Sequence, residues 1–117
     1  MNNLVLETIK QRRSIRIYRE EQIKDEELNA ILEAGCFATS AHNDQSWHFT
    51  VVQNKEMLDE LNVQSKEAAK TFPMEMISKA ANNPKYNIFY NAPTIVVVSG
   101  QKDAMLPDVD CAAATQN

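Results

Sequence analysis

The run Arg12-Arg13-Ser14-Ile15-Arg16-Ile17-Tyr18 places three guanidinium groups and a hydroxyl within five residues. Arginine forks match the oxygens of a phosphate two at a time, and a serine hydroxyl adds a further donor. The run is therefore suited to clamp a phosphate-bearing ligand. The alternative is a solvated helix end, because arginines in a C-terminal turn offset the helix dipole. The charge pattern alone leaves both interpretations open.

Composition narrows the kinds of ligand that this run could bind. The 117 residues suffice for one domain, with 44% hydrophobic and 24% charged residues. The net charge of -4 disfavours broad binding to nucleic acid or anionic membrane, so an anion site must be local. The two glycines, Gly35 and Gly100, are too few for the glycine-rich phosphate loops of dinucleotide-binding and P-loop folds. Any phosphate must therefore be bound by side chains rather than by the backbone of a glycine-rich loop.

Neither a membrane span nor a secretory signal is predicted. No apolar stretch approaches the roughly 18 residues that a span needs, and the N-terminus turns polar too early for a signal peptide. Cys36 and Cys111 lack metal-ligand spacing, which is typical of reduced, mostly buried thiols in a cytoplasmic protein. We therefore expect a cytoplasmic protein.

The pattern around the run predicts alternating helices and strands. Asp25 is a candidate N-cap for a helix whose buried stripe is Leu28, Ile31, Leu32 and Gly35. The β-branched run Thr94–Ser99 predicts a strand covered on both faces. Other predicted elements are a helix over Leu4–Gln11, a strand over Trp47–Gln53, a helix over Lys55–Lys70 with Met57, Leu58, Leu61 and Ala68 on one side, a turn at Asn82–Pro84, and a helix from Pro107 with the stripe Val109, Ala112, Ala113 and Gln116.

A polar loop separates the second helix from the first strand. Its sequence is Thr39-Ser40-Ala41-His42-Asn43-Asp44-Gln45-Ser46. Amides that both donate and accept suit a heterocycle with C=O and N–H edges, whereas the same residues also serve ordinary turns. His42 and His48 lack a third ligand at fixed spacing, so a metal site is disfavoured. Cys36 lies at the wrong end of its helix for a reactive thiolate.

Four segments resemble motifs of the nitroreductase family and occur in the same order along the chain as in that family. The most specific pair is the arginine run after a short helix and the polar loop Ala38–Phe49 leading into a strand. Asn91–Val98 and Asp110–Asn117 support it, the latter resembling the start of the family's long central helix. The resemblance covers essentially the whole chain and identifies residues 1–117 as the N-terminal part of a single nitroreductase-like domain. It departs at Thr39 and Ser46, where the family usually has proline, so a less rigid loop is predicted.

The resemblance implies an α+β fold, with a central sheet wrapped by helices, and a homodimer that binds FMN at its interface. By motif position, Arg16 would lie near the N1–C2=O edge of the flavin ring, where a cation stabilises the reduced state. The other cofactor-binding residues that the resemblance implies are Arg12 and Ser14 at the phosphate and ribityl chain, Arg13 beside them, Ser40 and Asn43 from the partner subunit, the backbone of Thr39 and Ala41, and Gln45.

The implied activity is hydride transfer from NAD(P)H through the flavin to nitro compounds, quinones or similar acceptors by a ping-pong scheme. The flavin carries the chemistry, so no catalytic side chain is predicted. The alternative is a truncated, catalytically inactive fragment that persists as a self-associating domain. Its basis is the last helix, whose pattern still runs at Asn117 without a glycine, a basic residue or a cap. The family's C-terminal basic phosphate contact is absent from these residues.

Overall fold

The structure, a computed structural model, describes residues 3–117. It combines helices with a two-stranded antiparallel sheet, the α+β class that the sequence predicts. Within the described residues, no helix is both long and apolar enough to cross a bilayer. The elements are α1 (Leu4–Gln11), α2 (Asp25–Cys36), a 3-10 helix (Ala41–Asn43), β1 (Trp47–Val52), α3 (Lys55–Ala69), α4 (Glu75–Asn82), β2 (Ile95–Gly100) and α5 (Pro107–Gln116).

The sheet pairs β1 with β2 in a register that sets Trp47 opposite Gly100 and Val52 opposite Ile95. The alternation predicted for β1 is confirmed, since its apolar residues are the less exposed ones. The expectation that β2 is covered on both faces is wrong for this structure, because Val97 is 45% exposed. The described sheet has two strands, and α5 packs against both of them.

Helix α2 begins at Asp25, but its N-cap is Lys24 rather than Asp25. The Glu27 carboxylate reaches back and accepts a hydrogen bond from the Lys24 backbone N–H at 2.8 Å, which satisfies that donor. Ile31 is 55% exposed, so the predicted buried stripe is wrong at that position. Gly35 is buried against Phe49, where a Cβ would lie 2.7 Å from Cζ of the ring. This close approach fixes the end of α2 beside β1, immediately before the polar loop.

Helix α3 and the turn after α4 support one wall of a cleft. Leu58 is buried as predicted, whereas Met57 is 53% exposed and does not share its buried side. Helix α4, which the sequence pattern did not predict, packs against α3. Lys66 Nζ donates to the carbonyls of Asn83 and Tyr86 at 2.7 and 2.8 Å, across the turn that was predicted near Pro84. These bonds hold the segment that follows α4 against α3.

Helix α5 begins at Pro107 as predicted, but it buries a different face. Val109 is 59% exposed, whereas Asp110 and Ala114 are 1% and 4% exposed. The apolar stripe was wrong because a carboxylate occupies the buried face and bonds to the polar loop. The cysteines are free, and Cys36 is exposed, which corrects the expectation of mostly buried thiols.

Helix α1 presents an exposed apolar surface. Its N-cap is Asn3, whose side chain accepts a hydrogen bond from the Val5 backbone N–H at 2.8 Å. None of its residues is buried, and Leu4, Val5 and Ile9 are 79%, 64% and 66% exposed. Helix α1 thus carries a cluster of exposed apolar side chains immediately before the arginine run.

Candidate functional site

The arginine run lies in the arm, which we define as residues 12–22. Arg13 Nη1 donates to the carbonyls of Lys10 and Arg12 at 2.9 and 2.8 Å, so it caps the end of α1. Arg12 Nη1 lies 3.5 Å from Ser14 Oγ. The helix-end interpretation thus describes Arg13, whereas Arg12 and Ser14 form a pair of exposed donors.

Arg16 lines a cleft of about 910 Å³ between the arm and the segment after α4. Tyr86 and Tyr90 form part of its wall, with their rings edge-to-face and their centroids 6.0 Å apart. The Tyr86 hydroxyl donates to the Tyr90 hydroxyl at 3.5 Å. This bond, and after it a hydrogen bond with Arg16, lowers the pKa of Tyr90, and the bond between the two tyrosines raises the pKa of Tyr86.

The cations of the cleft and of the arm are not equivalent. Lys55 forms an ion pair with Asp59 at 2.8 Å, and this hydrogen bond raises the pKa of the lysine. Over residues 3–117, Arg12 and Arg16 have no carboxylate within ion-pairing distance. An arginine without a carboxylate partner keeps its charge uncompensated, and its remaining N–H donors can bind an anion from outside.

Gln22 bonds the end of the arm to the two residues that precede β2. Its Nε2 donates to the Pro93 carbonyl at 3.0 Å, and its Oε1 accepts from the Thr94 hydroxyl. Gln53 Nε2 in turn donates to Thr94 Oγ1 at 3.1 Å. The arm is therefore held beside the cleft at the point where β1 ends and β2 begins.

The polar loop, defined as residues 39–46, has an unusual backbone. His42, Asn43 and Gln45 all have left-handed φ values, of 52°, 56° and 48°. Each such residue other than glycine costs roughly 1–2 kcal/mol, less for asparagine, so the conformation needs bonds that hold it. One of them is internal, since Ser40 Oγ accepts from the Gln45 backbone N–H at 3.0 Å and keeps its own hydroxyl hydrogen to donate.

The remaining anchors of the loop come from α5 and the segment before it. Asp110 Oδ1 accepts from the Ala41 N–H at 2.9 Å, and Oδ2 accepts from the Ser46 hydroxyl at 2.8 Å. The Asp44 carboxylate accepts from the Met105 N–H at 3.2 Å. Both ends of the loop are thereby fastened to the C-terminal part of the chain.

The loop turns its amide side chains outward. Asn43 and Gln45 are exposed, as is Thr39, while Ser40 and Ala41 are half-buried. In the part of the chain that the structure describes, the side-chain amides of Asn43 and Gln45 make no hydrogen bond. They are therefore available to a polar ligand that approaches from outside.

The structure does not bring the two predicted constellations together within one chain. No loop residue lines the cleft beside Arg16, and no hydrogen bond among residues 3–117 joins the arm to the loop. Nor do three or more His, Cys, Asp or Glu residues of this range converge as metal ligands. Sequence reasoning missed the roles of Gln22, Tyr86, Tyr90 and Asp110. Only Asp110 gave a signal, as an acidic residue beside apolar ones on a helix.

Comparison with known proteins identifies a family for this chain. The chain matches the Nitroreductase family over residues 9–117. A protein of Archaeoglobus fulgidus named "Putative NADH dehydrogenase/NAD(P)H nitroreductase" is 38% identical over 116 residues, 96% of this chain and 57% of that protein. A Bacteroides fragilis nitroreductase crystallised with bound FMN is 42% identical, with a TM-score of 0.88 over 98% of this chain and 62% of its own. An FMN-bound nitroreductase of Desulfitobacterium hafniense is 32% identical, with a TM-score of 0.86 over 99% of this chain and 62% of its own. The chain thus spans about three fifths of these relatives.

Proposed function

Because this chain belongs to the nitroreductase family, we propose that it holds FMN and serves an oxidoreductase that passes electrons from NAD(P)H to nitro compounds, quinones or similar acceptors. The scheme is ping-pong, in which NAD(P)⁺ leaves before the acceptor enters. When bound, FMN supplies the redox chemistry, and the protein binds and orients it. No side chain of the chain is assigned a proton-transfer or nucleophilic role.

The observation that carries this proposal is the pair of unpaired arginines on the arm. Arg12 and Arg16 have no acidic partner in the described chain, and Ser14 offers a hydroxyl beside Arg12. FMN combines a dianionic phosphate with a ring whose pyrimidine edge gains negative charge on reduction. Arg12 and Arg16 stand four residues apart without a carboxylate partner, and their two cations fit those two needs. Arg13 would contribute its charge while its donors cap α1.

The polar loop fits the other part of the cofactor. The free amides of Asn43 and Gln45 and the hydroxyl hydrogen of Ser40 match the carbonyl and N–H groups of a flavin ring. Thr39 and Ala41 would add backbone groups at the start of the loop. Since the loop does not meet the arm of its own chain, we assign it to the flavin held by the arm of a second chain.

The exposed face of α1 supports this dimeric arrangement. Three of its apolar residues are each more than half exposed, directly before the arm. Burial of apolar area contributes about 25 cal/mol per Å², so covering this helix with a partner chain favours association. We therefore propose a homodimer in which residues 1–117 form the N-terminal part of a single nitroreductase-like domain.

The direct test is to purify the chain and record its visible spectrum before and after FMN is added. We expect yellow protein with flavin absorbance, and NAD(P)H oxidation that depends on a nitroaromatic or quinone acceptor. Light scattering on the same sample would report a dimer. A colourless protein that takes up no FMN would refute the proposal, and if that protein were still dimeric it would favour the alternative of a self-associating domain without catalytic activity.

A further inference from the structure

Asp110 is the most deeply buried side chain among the large ones of the described chain, with 1% of its surface exposed. It stands in the first turn of α5, yet both of its carboxylate oxygens point to residues more than 60 positions earlier. A carboxylate is costly to bury unless it is hydrogen-bonded. The polar loop supplies both of the bonds that are seen.

The two bonds bracket the strained part of the loop. The Ala41 N–H lies before the left-handed residues His42, Asn43 and Gln45, and the Ser46 hydroxyl follows them. One side chain therefore fixes both ends of a six-residue segment. Holding both ends at once limits the conformations that the segment can adopt between them.

We propose that Asp110 is a positioning residue, whose carboxylate fixes residues 41–46 in the conformation that presents Asn43 and Gln45 to the flavin. The inference rests on the proposed function for the identity of the ligand, but its first part concerns the loop alone. Asp110 is bonded to the loop and not to the exposed amides, so it acts through the loop backbone.

The charge of Asp110 has a specific use. A carboxylate can accept two bonds from two donors, as it does here, whereas an amide accepts at one atom and donates at the other. In Asp110→Asn the Ala41 bond can persist, but the Ser46 hydroxyl must reverse and accept. The variant keeps the shape and volume of the side chain, so it weakens the bonds to the loop without leaving a cavity.

The experiment measures amide hydrogen exchange in the wild-type chain, in Asp110→Asn and in Asp108→Asn. Asp108 is an exposed carboxylate in the same helical turn and serves as the matched control. In Asp110→Asn we expect the Ala41 and Gln45 amides to exchange about tenfold faster, the effect of weakening one hydrogen bond to a charged group. The amides of the paired strands β1 and β2 should be unchanged, which separates a local loop effect from global destabilisation.

FMN titration of the same three proteins completes the test. We expect the Kd for FMN to rise about tenfold in Asp110→Asn and to stay at the wild-type value in Asp108→Asn. Unchanged exchange at Ala41 and Gln45 would overturn the inference, and so would faster exchange with an unchanged Kd. If the wild-type chain binds no FMN, the proposed function fails by itself, and exchange alone then decides whether Asp110 positions the loop.

Discussion

The arm and the polar loop are the two halves of the proposed site, and they are held in opposite ways. Arm residues 12–20 are all exposed, and the hydrogen bonds of Arg12, Arg13 and Tyr18 go to residues at most three positions away. The loop adopts a strained backbone, yet a buried carboxylate of α5 fastens it at both ends. Contacts within the chain therefore fix the loop, whereas Arg12 and Arg16 have no carboxylate partner among the described residues.

This difference has an energetic consequence for binding. The polar loop is already ordered, so it loses little conformational freedom when the ligand binds. The exposed arginine side chains lose rotamer freedom at that moment, which offsets part of the favourable contact between arginine and phosphate. We therefore expect changes at the loop anchor to lower both stability and affinity, and changes at the arm arginines to lower affinity alone. The predictions below test that division in order of decreasing effect.

The largest effect is expected from Asp110→Ala. It removes the acceptor of two hydrogen bonds in a buried site, and each bond to a charged group contributes at least about 1.5 kcal/mol. We expect the free energy of unfolding to fall by about 3 kcal/mol in urea denaturation. The matched change on the arm, Arg12→Ala, should alter it by less than about 0.5 kcal/mol, because an exposed side chain is truncated. Equal losses in the two variants would contradict the division.

The next effect concerns FMN rather than folding. In the double variant Arg12→Ala with Arg16→Ala, loss of two charged donors should weaken FMN binding by about 2 kcal/mol, or roughly thirtyfold in Kd. The free energy of unfolding should be unchanged. Flavin fluorescence quenching gives the Kd, and Lys10→Ala, which removes a nearby cation outside the run, is the control. If the double variant bound FMN with wild-type affinity, Arg12 and Arg16 would not be part of the FMN site.

Much of the fold was predictable from local pattern. The bounds of α1 agree with the prediction, β1 ends one residue early, and β2 is shifted by one residue at each end. These elements have strong apolar periodicity or β-branched runs, which local sequence reports directly. Helix α4 was missed because Pro73 and Pro84 bracket a short segment whose pattern is ambiguous.

The arrangement of the site was less predictable, because it depends on contacts between distant residues. Ser46 stands where the resemblance leads one to expect proline, and the sequence therefore predicts a less rigid loop. In the structure its hydroxyl is bonded to Asp110, 64 positions away, and this tie restrains the loop. Hydrophobic periodicity treats a buried aspartate as an exposed one, so the buried face of α5 was assigned to the wrong residues. The roles of the arm residues stay predictions.

A smaller effect is expected where the arm joins the body. Gln22→Ala removes the bonds to Pro93 and Thr94, which are exposed and neutral, so the loss of stability should be about 1 kcal/mol. The arm should become more accessible, and trypsin should cleave after Arg16 and Arg19 faster than in the wild-type chain. Gln11→Ala changes an exposed glutamine at the other side of the arm and should leave cleavage unchanged. Identical cleavage in both variants would show that Gln22 does not hold the arm.

The smallest effect is on the tyrosines that face Arg16 across the cleft. The hydrogen bond from Tyr86 is the largest cause that lowers the pKa of Tyr90 below its ordinary 10.0, so Tyr86→Phe should move that pKa upward. Because the folded pKa of Tyr90 is depressed, its ionisation favours the folded state at alkaline pH, and this contribution is lost as the pH falls through the folded pKa. The pKa of Tyr86 is raised in the folded state, so its contribution to stability is lost as the pH rises above about 10. Absorbance at the phenolate band of Tyr18→Phe follows Tyr86 and Tyr90 together, and in Tyr18→Phe with Tyr86→Phe it isolates Tyr90, the last of the three tyrosines. If adding Arg16→Ala to the latter raises the Tyr90 pKa further, the arm lies at the cleft in solution; an unchanged midpoint would place Arg16 away from it.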